Sequence, residues 1–177
     1  MAKINNGPVF SIGHSTTPLE KFIEILEVNE IKLVVDVRTI PRSRHNPQFN
    51  KETLPGELDK AGIDYRHFPG LGGLHHTKKD SLNTGWRNVS FRGFADYMQT
   101  KEFTTALDEL IELFKDRRIV IMCAEATPWR CHRSLIADAL EVRGFPVEHI
   151  IGTSKPHQHK LTSFAVVDGL KITYPEE

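Results

Sequence analysis

The chain predicts an α/β protein: a Rossmann-like, three-layer fold with a mainly parallel sheet and a C-terminal β-hairpin. Three observations predict it. Short β-branched runs alternate with amphipathic stretches. Arg118 to Cys123 is continuously apolar until its thiol, as a strand covered on both faces should be. The final stretch reads strand, Asp-Gly, strand.

Val9 to Ile12 is a short strand that ends at Gly13-His14-Ser15-Thr16. Thr17 is placed to cap the following helix, with Pro18 in its first turn and Glu20 at capping-box spacing. Leu19, Phe22, Ile23 and Leu26 give that helix one apolar stripe to near Asn29. Ile31 to Val35 is the second strand and runs into Asp36-Val37-Arg38, completing a right-handed βαβ unit. Residues 39–50 read as an irregular loop, and Lys51 to Ala61 as a short helix interrupted early by Pro55-Gly56. Ile63 to Phe68 is a third strand, closed by Pro69-Gly70-Leu71-Gly72-Gly73.

Residues 74–92 are polar and read as a long loop, either a functional cover or a poorly ordered segment. Phe94 to Phe114 supplies helix, with Phe103, Leu107, Leu110, Ile111 and Phe114 at helical spacing. After the strand to Cys123 comes a loop, Ala124 to Arg130. Cys131-His132-Arg133-Ser134 then opens a helix to Arg143, which Gly144 stops. Val147 to Ile151 is the last parallel strand, and Phe164 to Tyr174 the hairpin.

The length of 177 residues fits one domain, 1–177, with a sizeable core. With 23 basic and 23 acidic residues, general electrostatic capture of nucleic acid or membrane is not indicated. A local basic lip from residues 39–50 and 74–92 leaves nucleic acid open as a partner. Met1 to Pro8 is polar without a signal-like core, and no apolar run approaches spanning length, so the expected location is the cytoplasm. There both cysteines are expected as thiols.

In an open parallel sheet, ligands bind beyond the carboxyl ends of the strands. Those ends carry His14 and Ser15; Asp36, Arg38, Arg42 and Arg44; His67; and Cys123, Glu125, Cys131, His132 and Arg133. A guanidinium in a first helical turn opposes the dipole, so Arg133 requires Glu125, Asp36 or an external oxyanion as partner. In one reading Arg133, Arg38 and Arg42 hold a small anionic or nucleotide-like substrate. Glu125 or Asp36 then acts as acid or base with His14 assisting, and Ser15, Arg44, His67, Cys131 and His132 complete the pocket. In a second, Cys123 is a nucleophile in sulfur or phosphoryl transfer, its thiol lowered by basic neighbours; the bland alternative is a small core residue. A third is a non-catalytic nucleotide or nucleic-acid-binding module. The spacing of Cys123, Cys131 and His132 matches no standard zinc pattern, so neither metal nor cofactor is expected. His157 and His159 read as surface loop.

Several segments together resemble the family of unknown function DUF488 over nearly the whole chain. They are Ser11-Ile12-Gly13-His14-Ser15; Asp36-Val37-Arg38 with Pro41-Arg42-Ser43-Arg44 and Phe49; and Tyr65-Arg66-His67 with Leu71-Gly72-Gly73. Cys123-Ala124-Glu125 with Pro128, and Cys131-His132-Arg133-Ser134, complete the set. More distantly, Leu33 to Arg38 looks like the Asp-Val-Arg strand of rhodanese domains. Residues 119–152 follow the same strand, Cys-loop, helix, strand order. The interval departs from that pattern, because Arg133 lies ten positions after Cys123.

Overall fold

A computed structural model describes residues 7–176. Most of the polar lead-in, Met1 to Asn6, lies outside the described residues. The first βαβ unit is β1 (Val9–Gly13), α1 (Leu19–Val28) and β2 (Leu33–Asp36). Then come α2 (Leu54–Lys60), β3 (Asp64–His67), α3 (Val89–Tyr97), α4 (Lys101–Asp116), β4 (Ile119–Cys123), α5 (Arg133–Val142) and β5 (Val147–Ile150). Three short strands close the chain: β6 (His157–Gln158), β7 (Val166–Asp168) and β8 (Lys171–Thr173).

The six-stranded sheet has the order β3-β2-β4-β1-β5-β6. All its pairs are parallel except β5 with β6. The predicted fold class therefore holds. Alternate residues of each strand feed opposite faces, as the pleat requires. Phe10, Ile12, Val34, Val120 and Met122 pack with Phe22, Ile25 and Leu26 of α1 and Leu54 and Leu58 of α2. Val9, Leu33, Val35, Ile119 and Ile121 pack with Phe94 of α3, Leu107 of α4 and Leu135 of α5. The sheet is thus the middle of three layers.

Several boundaries differ from expectation for local reasons. Thr17 does not cap α1; Pro18 occupies that position, with no side-chain cap bond. Pro55 sits in the first turn of α2, where its missing N–H costs no helical bond, so the Pro-Gly pair starts the helix rather than interrupting it. The single helix expected after Phe94 is two helices. Asn88 caps α3 inside the presumed cover loop, and the Thr100 side chain accepts from Phe103 N to start α4. Strand β6 was read as loop. The hairpin is present, but Asp168 pairs with Lys171 inside the ladder and Gly169-Leu170 makes the turn, Gly169 with φ 63°. Among the described residues, no helix is long and apolar enough to cross a membrane.

Candidate functional site: a buried thiol pair

Parallel pairing in register Gly13–Cys123 and Asp36–His67 brings the carboxyl ends of four strands to one edge. The pairing of β1 with β4 runs on past the sheet, His14 N donating to Cys123 O at 2.9 Å and Ser15 N to Ala124 O at 2.9 Å. The loop after β4 thereby crosses directly over the end of β1. A Cβ on Gly13 would stand 1.8 Å from Glu125 O, so only glycine fits there. A tight 3-10 turn, Pro128–Arg130, then reverses the chain, with Cys131 N donating to Pro128 O at 3.1 Å. It returns Cys131 onto Cys123, and the two free thiols meet with their sulfurs 2.6 Å apart.

Arg133, the first residue of α5, is fully buried. Its Nε donates to Cys123 Sγ at 3.0 Å, its Nη1 to Ser11 Oγ at 2.9 Å, and its Nη2 to Glu125 O at 2.7 Å. None of these partners is a carboxylate, so the Glu125 or Asp36 side chain expected opposite Arg133 is not its partner. A buried guanidinium without a counter-charge is strongly unfavourable. What lies against it that could carry negative charge is the pair of thiols. Hydrogen bonding from Cys123 holds the Cys131 thiol well below its ordinary range against burial, with His132 and Arg133 contributing. Burial and the Cys131 bond push the Cys123 thiol up, Arg133 opposing. The contact between the two sulfurs thus favours the proton on Cys123 and the charge on Cys131. The Arg133 backbone N–H also points to Cys131 Sγ, at 3.5 Å.

His132 is oriented by its far nitrogen. Nε2 lies 3.0 Å from both Val37 O and Leu71 O and so carries a proton, while Nδ1 lies 3.6 Å from Cys131 Sγ, where it supports a thiolate only when it is protonated too. A cavity of about 380 Å³ opens over the thiols. Arg38, Arg42, Glu125, Arg130 and His132 line it with the two cysteines. Arg42 is exposed and ion-paired with Glu52 at 2.5 Å.

The remaining expected residues lie elsewhere. Asp36 is buried, accepting from Arg38 Nε at 2.9 Å, Arg38 Nη2 at 2.7 Å and the Tyr65 hydroxyl. Arg38 Nη1 reaches His14 Nε2 at 3.3 Å, while His14 Nδ1 donates to Ser15 O at 2.8 Å and the ring stacks on Phe49. Burial, helped by Arg38, pushes His14 below its ordinary pKa, so it is neutral and accepts from Arg38. This network fixes the Arg38 side chain, and neither Asp36 nor His14 lines the cavity over the thiols. Ser15 and Arg44 do not line it either, and His67 borders a separate cleft while bonding Arg38 O at 2.7 Å.

Sequence reasoning missed a second buried network on the other side of Arg133. Asp138, fully buried, accepts from His159 Nε2 at 2.7 Å, Thr162 Oγ1 at 2.7 Å and Tyr174 Oη at 2.8 Å. With that proton placed, His149 Nε2 donates to His159 Nδ1 at 2.8 Å, and Ser11 Oγ donates to His149 Nδ1. Ser11 in turn accepts from Arg133. His159 is therefore no surface-loop residue; its side chain is 6% exposed. The sequence did carry a signal: Ser11, Asp138 and His149 each interrupt an apolar buried face. Burial first, then His159 and Arg133, push His149 down to about 3.

Among the described residues, no group of three or more His, Cys, Asp or Glu side chains could hold a metal ion. A family model described as "Domain of unknown function DUF488" matches residues 18–140. That match spans α1 through most of α5 and includes both cysteines and Arg133. No curated protein and no solved structure matches the chain, so the distant likeness to rhodanese domains finds no support there.

Proposed function

The chain belongs to the DUF488 family, and from that premise we propose that it is a thiol-dependent sulfur-transfer enzyme acting on a small anionic substrate. The observation that carries this reading is the buried Arg133, whose guanidinium faces a dithiol rather than a carboxylate. Cys131 is the nucleophile, held as thiolate by Cys123, His132 and Arg133. Cys123, protonated and 2.6 Å away, is the resolving thiol.

The chemistry balances simply. The Cys131 thiolate attacks the outer sulfur of a donor such as thiosulfate, forming an S–S bond as the donor's S–S bond breaks and sulfite leaves with its electron pair. The resulting Cys131 persulfide either passes its outer sulfur to an acceptor or is resolved by Cys123. In the latter case a Cys123–Cys131 disulfide forms and the Cys123 proton leaves on hydrosulfide; a cellular thiol then reduces the disulfide. Arg38, Arg42 and Arg130 at the cavity wall suit an anionic donor.

Phosphoryl transfer is the weaker alternative. It needs donors converging on the equatorial oxygens of the transferred group. Here the loop amides serve internal turns: Thr127 N donates to the Glu125 carboxylate, Arg130 N to Thr127 O and Cys131 N to Pro128 O. The long interval between Cys123 and Arg133 is spent on the turn that pairs the thiols, which departs from a rhodanese-like amide cradle. Free thiols suit a reducing compartment, in keeping with a cytoplasmic location.

Mass spectrometry after thiosulfate treatment tests the reading. Cys123→Ser should accumulate a persulfide on Cys131, the native chain should release hydrosulfide and form the disulfide, and Cys131→Ser should do neither. An unmodified Cys131 in the Cys123→Ser protein would overturn it.

A further inference from the structure

The larger cavity, about 500 Å³, borders the same loop at Pro128 and Trp129 but holds neither thiol. We propose that it binds a mononucleotide, the base stacked on Trp129 and the phosphate toward Lys160. Its size falls within the ordinary range for small-molecule sites. The chain has two tryptophans, and both line this cavity. Trp86 is a rigid wall, held edge-on by Phe91 at 5.2 Å and Phe164 at 4.8 Å and tilted on Tyr174 at 5.5 Å. Trp129 is 67% exposed, an indole face left without a protein partner beside a hollow.

The polar groups point to the same ligand class. Lys160, His157 and His159 line the cavity, and no Asp or Glu does, so a negative charge meets no carboxylate there. Nucleobases stack on indoles irrespective of base identity, and Trp129 offers such a face. A purely apolar ligand would leave Lys160 unused, and a bare oxyanion would leave Trp129 unused.

Calorimetric titration with AMP, adenosine and inorganic phosphate tests the proposal, with tryptophan fluorescence as a parallel readout. AMP should bind saturably and change the fluorescence, and should bind more tightly than either fragment. Trp129→Ala, at an exposed position, should weaken AMP about tenfold, and Lys160→Ala should weaken AMP about fivefold while sparing adenosine. Cys131→Ser should bind AMP as the native chain does, which separates this site from the thiol chemistry. Absence of saturable AMP binding at millimolar concentration, phosphate binding as tightly as AMP, or full AMP affinity in Trp129→Ala would each overturn it.

Discussion

Arg133, which water does not reach, turns its guanidinium to the Cys123 sulfur and its backbone N–H to Cys131 Sγ, so it lies against both thiols and no carboxylate. Arg133 favours the charged form of both thiols; they shift in opposite directions because burial and the bond between them raise Cys123, while that same bond lowers Cys131. Charge gathers on Cys131, where Cys123, His132 and the Arg133 backbone N–H all donate or lie close. The consequence for reactivity has a definite sign. A lowered pKa leaves Cys131 as thiolate at neutral pH, so its alkylation by iodoacetamide should persist well below the ordinary thiol midpoint of about 8.5 and fall only in acid. Arg133→Gln should move that midpoint upward, because the guanidinium favours the charged form of Cys131. An unmoved midpoint in the folded variant would show that Arg133 does not support the thiolate.

At the scale of elements, the site depends on how the β4–α5 loop lies across β1. Strand β4 and helix α5 are legible in the sequence because their apolar periodicities are strong and Gly144 marks a positive-φ stop. The loop between them carries no such periodicity. Its course follows from backbone bonds to His14 and Ser15 and from the space left by Gly13. Gly13→Ala drives a methyl group into Glu125 O, a backbone atom held by its neighbours. It should destabilise the fold by about 3 kcal/mol and separate the thiols. Urea unfolding measures the first effect and slower disulfide formation with peroxide the second.

For the whole molecule, the polar network from Ser11 through His149 and His159 to Asp138 ties the sheet, α5 and the C-terminal segment together. It joins β1, β5, α5 and the chain near β6 and β8, elements far apart in sequence. His149 must be neutral for its Nδ1 to accept from the Ser11 hydroxyl. Because the folded pKa of His149 lies near 3, below its unfolded value of about 6.5, the unfolded chain takes up the proton first. The stabilisation is therefore complete above about pH 6.5 and is lost as pH falls toward 3, at up to about 1.4 kcal/mol per pH unit. His149→Gln should be less stable at neutral pH and show a shallower decline between pH 7 and pH 4. A decline as steep as the native one would remove His149 as its source.

The amino-acid sequence by itself determined the layered α/β architecture, the parallel strands and the edge at which Cys123, Arg38 and Arg133 assemble. Those follow from local periodicity and from the rule that parallel strands end on one side. Which charged groups face each other was decided only by tertiary structure. Asp36 turned to Arg38 and Tyr65, Arg133 turned to the cysteines, and His159 turned inward to Asp138. A buried charge takes whichever partner the packing brings within reach, and that reach is set by loops whose path no local pattern encodes.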